Sequence, residues 1–206
     1  KAREKNLWSL DVRDIREHGV GKHRQVDDTP AGGGSGMVMR ADVAAAAIDA
    51  VPREGRPLIY LSPRGAPLTQ ARVRQLAAGP GAILLCGRFE GLDERVIEAR
   101  QMEEISLGDF VLAGGEIAAM ALIEAAVRLI PGVLGDGAST QEESFGAGLL
   151  EYPHYTRPQL FEDRPIPDVL TSGNHSEISK WRQAEPERLT RKRRPDLWAP
   201  YEKPKS

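Results

Sequence analysis

The stretch Cys86-Gly-Arg-Phe-Glu-Gly91 stands between an apolar run, Ala82 to Leu85, and a segment of helical composition, Leu92 to Arg100. The apolar run is short and follows the breaker Gly79-Pro80-Gly81, so it predicts a buried β-strand. The order along the chain is therefore strand, glycine-marked loop and helix. A unit of this kind is typical of an α/β sheet.

Two further stretches repeat this order on either side. Tyr60-Leu-Ser-Pro-Arg-Gly65 comes from the end of the apolar run Leu58 to Leu61, and Ser106-Leu-Gly-Asp-Phe-Val-Leu-Ala-Gly-Gly-Glu116 precedes an apolar helix. The repetition predicts an α/β fold with a mostly parallel sheet. In such sheets ligands lie beyond the carboxyl ends of the strands, where glycines let the backbone approach closely. We expect the three loops to form one composite pocket.

Periodicity and end signals predict the helices around these loops. Leu68 to Ala78 is predicted as a helix capped by Thr69, and Glu116 to Ile130 carries apolar residues at helical spacing before a proline ends it. An earlier helix is predicted over Asp42 to Ala50. The segment His23 to Gly36 is too rich in glycine for a regular element, and we expect a mobile loop there.

The composition changes after residue 134. Residues 135–147 are small and polar, which is typical of a flexible interdomain linker. Beyond them four prolines interrupt an irregular stretch, then one helix is predicted from about Ser176 and a second, short one over Pro186 to Arg194. The sequence thus predicts an α/β domain over 1–134, the linker, and a small, mainly helical domain over 148–206.

Composition excludes several classes of protein. The 206 residues include one cysteine, Cys86, so no internal disulfide framework is possible, and the four histidines lack the spacing of a zinc site. No apolar stretch is long enough to span a bilayer, and no secretory signal is present, so we expect a cytoplasmic protein. The net charge of −2 argues against a general nucleic-acid coat.

The loop residues allow two interpretations. A glycine after a strand most often marks a turn, but none of the three loops matches the dinucleotide fingerprint or the P-loop, so their combination favours a different nucleotide-like ligand. Glu90 is either a solvated loop carboxylate or part of the pocket. Ser106 and Asp109 could be capping groups, and we assign Glu116 mainly a structural role at the start of its helix.

Cations near the end of the chain are equally ambiguous. Arg128 either interacts with the carboxyl end of its helix or stabilises a developing anion. Residues 148–206 carry eleven Lys and Arg against nine Asp and Glu, which favours this part as the polyanion contact. The run Arg188 to Arg194 holds five cations and no acid, and Lys180-Trp181-Arg182 adds an aromatic. It is either a solvated face or an RNA contact.

The motifs together resemble those of the bacterial tRNA (guanine-N1)-methyltransferases, which methylate guanine at position 37. The similarity covers nearly the whole chain and rests on these blocks: His23-Arg-Gln-Val-Asp-Asp28, Gly32-Gly-Gly-Ser-Gly-Met37, Tyr60-Leu-Ser-Pro63, Cys86-Gly-Arg-Phe-Glu-Gly-Leu-Asp-Glu-Arg-Val96, Gly108-Asp-Phe-Val-Leu-Ala-Gly-Gly-Glu116, Ile130-Pro-Gly-Val-Leu-Gly135, Pro153-His-Tyr-Thr-Arg-Pro158 and Leu170-Thr-Ser-Gly-Asn-His175.

This resemblance implies a knotted SPOUT-class enzyme in which the three loops form a deep trefoil knot around bent S-adenosylmethionine. It implies a homodimer whose active sites combine the knot of one subunit with the linker and C-terminal domain of the other. The implied cofactor contacts are Tyr60, Leu61, Ser62, Pro63, Gly87, Glu90, Leu107, Gly108, Phe110, Leu112, Gly114 and Gly115. The residues expected to contact tRNA are Lys180, Arg182, Arg188, Arg191, Lys192, Arg193 and Arg194.

Catalytic roles follow from the same resemblance. Arg128 falls on the family's catalytic arginine, and Glu143 falls where many members carry the aspartate proposed as general base. Mg²⁺ is implied for methyl transfer, without ligands that this sequence identifies. Relatives begin with a further strand that is absent here and have additional C-terminal helices. A non-catalytic RNA-binding module and a nicotinamide-dependent oxidoreductase are the alternative functions.

Overall fold

The computed structural model describes residues 2–134 and 143–202. They belong to two compact units that divide after Gly135, and each is described by itself. Most of the predicted linker, 135–147, lies outside the described residues. No helix among those described is long and apolar enough to cross a membrane.

The first unit is built on a parallel sheet of three strands, with β3 (Leu58–Pro67) between β4 (Ile83–Leu85) and β5 (Glu103–Ser106). This sheet confirms the predicted α/β class. Side chains of the central strand alternate between two apolar cores. Leu58 and Tyr60 pack in a core with residues of helices α1 (Ala41–Asp49) and α3 (Glu94–Ala99). Ile59 and Leu61 face the other way and pack with residues of α2 (Gln70–Ala78) and α4 (Gly115–Val127). The elements, in chain order, are a 3₁₀ helix Ile15–His18, β1 Asp27–Asp28, β2 Val38–Met39, α1 Ala41–Asp49, β3 Leu58–Pro67, α2 Gln70–Ala78, β4 Ile83–Leu85, α3 Glu94–Ala99, β5 Glu103–Ser106 and α4 Gly115–Val127.

The predicted loop Tyr60 to Gly65 is a wide bulge inside a strand. β3 runs on to Pro67, and both Leu61 and Ala66 are opposite Ile105 of β5, so residues 62–65 stay out of register. Pro63 has no N–H to donate to a ladder, which favours a break in pairing at this point. The prediction of a simple loop was therefore wrong, because the chain resumes pairing after the bulge.

The glycine-rich segment His23 to Gly36 contains a regular element that the sequence prediction missed. Its Asp27 and Asp28 form β1, which pairs antiparallel with β2, Val38–Met39. Residues 23–26 and 29–36 lack helix and strand, apart from an isolated bridge between Gln25 and Val20, and four glycines of the second stretch have positive φ. Glycine content thus indicated the turn correctly but not the short ladder beside it.

The helices begin close to the predicted residues, but α4 buries different residues from the apolar ones that predicted it. Thr69 caps α2 by accepting the Arg72 N–H at 3.3 Å, as predicted. Helix α4 buries Gly115, Ala118, Ala119 and Leu122. The apolar residues Ile117 and Met120, which helped to predict the helix, are instead 61% and 64% exposed.

The second unit is mainly helical. Its long helix α6 was predicted as two helices separated at Pro186, but it continues through that proline. Proline removes one backbone hydrogen bond, and the burial of Leu189 and Thr190 in the following turn offsets this loss. Asn174 caps the helix by accepting N–H bonds from Ser176 and Glu177. The elements are β6 Leu160–Phe161, β7 Arg164–Pro165, α5 Asp168–Thr171, α6 His175–Arg193 and α7 Pro195–Glu202.

Candidate active site

A cavity of about 190 Å³ lies at the carboxyl edge of the parallel sheet. Its walls come from the three predicted segments, within 60–63, 87–91 and 105–115, together with Ala118 of α4. All twelve residues that the resemblance assigns to the cofactor line this cavity: Tyr60, Leu61, Ser62, Pro63, Gly87, Glu90, Leu107, Gly108, Phe110, Leu112, Gly114 and Gly115. The three loops therefore form one pocket, while its ligand stays a prediction.

The buried ring of Tyr60 leaves no room for a side chain at position 87, which is glycine. A Cβ at position 87 would lie 2.8 Å from Cε2 and 3.0 Å from the hydroxyl oxygen of Tyr60, closer than real contacts allow. Burial raises the pKa of Tyr60, and its backbone hydrogen bond with Leu92 opposes this effect. The hydroxyl is therefore protonated at neutral pH. Strand β3 and the second loop meet here without room for a side chain.

Gly115 joins the second loop to the first turn of α4. Its N–H donates to the carbonyl oxygen of Gly87 at 2.8 Å. A Cβ at position 115 would lie 2.8 Å from the Cα of Cys86 and 2.9 Å from the nitrogen of Gly87. Because these are backbone atoms, no side-chain rotation could relieve the contact. The cavity wall depends on glycine at this position.

Ser106 and Gly108 shape the third loop. The Ser106 hydroxyl accepts the Gly108 N–H at 3.2 Å and donates to the Gly108 carbonyl oxygen at 3.1 Å. The Phe110 ring lies over Gly108, where a Cβ would come within 2.9 Å of ring carbon Cε1. These contacts support the structural role considered for Ser106, which also lines the cavity.

An ion pair crosses from the second loop to α4. Arg88 Nε donates to Glu116 Oε1 at 2.9 Å, and both side chains are about half exposed. A Cβ at Gly114 would overlap both groups. The pair agrees with a structural role for Glu116, although exposed pairs contribute only about 0–1 kcal/mol. Neither Arg88 nor this link was predicted from the sequence, since pairing over 28 positions leaves no local signal.

The glycine-rich segment reaches the cavity through Glu90. The Glu90 N–H donates to the carbonyl oxygen of Met37 at 2.9 Å, and Met39 N–H donates to Gly91 at the same distance. Gly36 has φ +85°, and a Cβ there would overlap the Glu90 carboxylate. Gly36 thus lies against a residue of the cavity wall, a contact that the sequence interpretation missed. Its signal, a glycine cluster without strand or helix periodicity, indicated only a loop.

The predicted catalytic pair belongs to two different units. Arg128 follows the last turn of α4, is partly buried, and donates its N–H to Glu124 at 3.3 Å. Glu143 is partly buried in the second unit, where its carbonyl oxygen accepts the Gly146 N–H at 3.0 Å. Their joint action on one substrate therefore remains a prediction.

The described part of the chain contains no cluster of side chains typical of a protein metal site. Across residues 2–134 and 143–202, no group of three or more His, Cys, Asp or Glu side chains could hold a metal ion. We assign no ligands and no step to the Mg²⁺ that the resemblance implies.

Carboxylates partner three of the seven cations predicted to bind tRNA. Lys180 pairs with Glu177 at 2.8 Å, Arg188 with Glu185 at 2.6 Å, and Arg194 with Asp196 at 2.6 Å. The Arg188 guanidinium lowers the pKa of Glu185 through this hydrogen bond. The basic run is consequently less positive than its sequence indicates.

Two further cations in this set lie over aromatic rings. Arg191 is 4.5 Å from the centroid of Trp198, and Arg182 is 5.3 Å from that of Tyr152. For Lys192 and Arg193, no ion pair is seen within the described part of the chain. Together with Arg182 and Arg191, whose charge a ring contact does not neutralise, they leave four of the seven cations without a carboxylate partner in the described part of the chain.

Comparison with known proteins gives the chain its family. Residues 1–200 match the family described as tRNA (Guanine-1)-methyltransferase TrmD. The chain belongs to this family. It is similar to a tRNA (guanine-N(1)-)-methyltransferase of Rhodopseudomonas palustris strain HaA2, with 68% identity over 94% of this chain and 77% of that protein. It is also similar to proteins of the same name from Nitrobacter winogradskyi (64% identity, 97% and 84% covered) and Brucella ovis (62%, 98% and 83%).

Membership of the TrmD family confirms the resemblance drawn from the motifs. It makes the chain a tRNA (guanine-N1)-methyltransferase and argues against a non-catalytic RNA-binding module and a nicotinamide-dependent oxidoreductase. The pocket described above therefore lies in a chain whose relatives carry the name of one reaction.

Proposed function

We propose that this chain transfers a methyl group from S-adenosylmethionine to N1 of guanine at position 37 of tRNA. One observation carries the proposal: residues from three separate loops line one cavity in a member of the TrmD family. Because tRNA is the proposed substrate, we place the reaction in the cytoplasm. The named relatives support the reaction type, and the identity of the nucleotide rests on the resemblance.

Close backbone packing in the pocket wall supports the assignment of a cofactor site. Gly87 and Gly115 leave no room for side chains where the second loop meets Tyr60 and α4. A cavity of about 190 Å³ is smaller than the roughly 300–1,000 Å³ common for ligand clefts, so exposed parts of the third loop such as Phe110 must cover the remainder. When bound, S-adenosylmethionine supplies an electrophilic methyl group on its sulfonium.

The acceptor needs a base and a stabilising charge. Guanine N1 carries a proton and is a poor nucleophile, so we assign Glu143 to accept that proton. Negative charge then develops towards O6, where we assign the Arg128 guanidinium to stabilise it. Glutamate is one methylene longer than the aspartate of many relatives and retains the carboxylate that the role needs.

The described loops also support a knotted arrangement. Arg88 and Gly114 form an antiparallel bridge, and Gly115 bonds to Gly87, so the chain returns beside its own second loop after β5. We infer that this return is part of the deep trefoil knot of SPOUT enzymes.

An exposed apolar surface supports a homodimer with shared active sites. Ile117 and Met120 of α4 are mostly exposed, and Val111 beside the cavity is 83% exposed. A helix that is apolar all round is normally buried, which indicates that this face is covered by another protein surface. We propose that a second copy covers it and that its linker and C-terminal domain complete the site.

Calorimetry separates this proposal from its two alternatives. We expect titration of S-adenosylmethionine into the full-length protein to give saturable binding, whereas NADH gives none. Binding of tRNA without any binding of S-adenosylmethionine would instead identify a non-catalytic RNA-binding module.

A further inference from the structure

Four aromatic rings gather on one side of the second unit. The imidazole of His154 lies 5.0 Å from the ring of Tyr152, and Trp181 of α6 lies 6.1 Å from Tyr152 and 6.2 Å from Tyr155, as measured between centroids. The interplanar angles are 59–65°, so Trp181 meets both tyrosines edge to face, His154 is tilted against Tyr152, and none of these pairs is a parallel stack. We call these four residues the aromatic cluster.

The aromatic cluster lies at the surface. Tyr152 and Trp181 are partly buried, whereas His154 is exposed and Tyr155 is 48% exposed. The segment 151–156 that carries three of the rings has no helix or strand, so contact with Trp181 on α6 positions Tyr155. An exposed ring held by another ring offers a fixed apolar face to a ligand.

Cations border the aromatic cluster. The Arg182 guanidinium lies 5.3 Å from the Tyr152 centroid, and exposed Arg157 follows the segment in sequence. Arg188 lies on the same helix as Trp181, and its ion pair with Glu185 offsets most of its charge. Aromatic rings beside guanidinium groups are the composition of surfaces that bind unpaired nucleotides, because every base has a π-face and its backbone is anionic.

We propose that the aromatic cluster is a stacking platform for an unstacked nucleobase from a single-stranded loop of the tRNA. In this arrangement Tyr155 presents its ring to the base, Trp181 supports Tyr155, and Arg182 faces the phosphate backbone. The inference rests on the proposed function, which makes tRNA the substrate. RNA is favoured over a second copy of the chain because its phosphates are anionic, whereas a two-fold contact with a second copy would bring the exposed Arg182 of each chain close together.

Steady-state methyl transfer tests the platform with Tyr155→Leu and Tyr155→Phe. Loss of one base stack should raise KM for tRNA roughly 5- to 100-fold in Tyr155→Leu, with kcat and the affinity for S-adenosylmethionine much less affected. Tyr155→Phe keeps the ring and should restore KM to within about twofold of the parent. Tyr201→Leu is the matched control, since Tyr201 is also about half exposed, at 44%, in the same unit. Unchanged KM in Tyr155→Leu would overturn the inference and leave the proposed function intact.

A binding measurement tests the same platform without turnover. An anticodon stem-loop is labelled with 2-aminopurine at one loop position at a time and titrated with the full-length protein. We expect its fluorescence to fall for one or more of these positions, and we expect Tyr155→Leu to abolish this change. No quenching at any position contradicts the inference even if methyl transfer is active. A change in sedimentation coefficient of Tyr155→Leu without RNA would instead make the cluster an interface between protein copies, which also overturns it. Quenching by a protein that methylates no tRNA would support the platform and refute the proposed activity.

Discussion

Replacing Gly115 by alanine should push the second loop away from α4 and weaken binding of the proposed cofactor. The new Cβ would start 2.8 Å from the Cα of Cys86, and ordinary contact begins at 3.4 Å, so the second loop and α4 must separate by about 0.6 Å. The Gly115 N–H would then draw away from the carbonyl oxygen of Gly87, now 2.8 Å distant. Overpacking of this kind costs roughly 1–3 kcal/mol, which corresponds to a loss of about 5- to 150-fold in affinity if the strain is relieved in the unbound state.

The assay is calorimetric titration of S-adenosylmethionine, with thermal unfolding measured in parallel. Alanine is favoured over glycine inside helices by up to about 1 kcal/mol, which offsets part of the strain in the folded protein. The loss in free energy of unfolding, measured from the unfolding midpoint, should therefore be smaller than the loss in free energy of cofactor binding. Gly79→Ala is the matched control, because Gly79 has φ −88° at the end of α2 and does not line the cavity. Parent-like affinity in a folded Gly115→Ala protein would refute the assignment of this contact to the cofactor site.

Three further predictions concern the base, the buried tyrosine and the exposed helix face. Glu143→Gln should abolish methyl transfer with cofactor affinity nearly intact, as judged by single-turnover assay and calorimetry; retained activity would move the base to another carboxylate such as Glu151. The raised pKa of Tyr60 implies stability that is complete below its unfolded pKa of about 10 and is lost as pH rises through the folded value, so unfolding midpoints above pH 10 should fall more steeply in the parent than in Tyr60→Phe. Equal slopes would contradict this. Ile117→Asp should convert a dimer to a monomer in sedimentation velocity, whereas Ile117→Leu should not; a parent protein that is already monomeric would refute the proposed interface.

Local signals in the sequence predicted the elements that form the site. The order of strand, loop and helix predicted the parallel sheet, and the hydroxyl of Thr69 predicted the start of α2. These features depend on residues a few positions apart, where backbone geometry and capping leave a regular pattern. The convergence of the three loops followed from the rule that parallel strands end at one edge of a sheet.

Contacts between distant residues could not be predicted in this way. Gly36 against Glu90, and Arg88 with Glu116, depend on how the chain returns to its own loops. Pro186 misled the prediction because the burial of later residues outweighed its local preference. Helical spacing revealed α4, but periodicity does not show whether Ile117 is covered by this chain or by another. The assignment of Glu143 came from resemblance alone, whereas the position of Arg128 near the end of its helix had already left an anion-stabilising role open.

Methyl transfer to tRNA tests the central claim most directly. The full-length protein is incubated with S-adenosylmethionine carrying a labelled methyl group and with tRNA transcripts that have guanine or adenine at position 37, and nucleosides from the digested product are identified by mass spectrometry. We predict labelled 1-methylguanosine from the transcript with guanine 37 and none from its adenine counterpart. Absence of label from both transcripts, or label on a different nucleoside, would contradict the account.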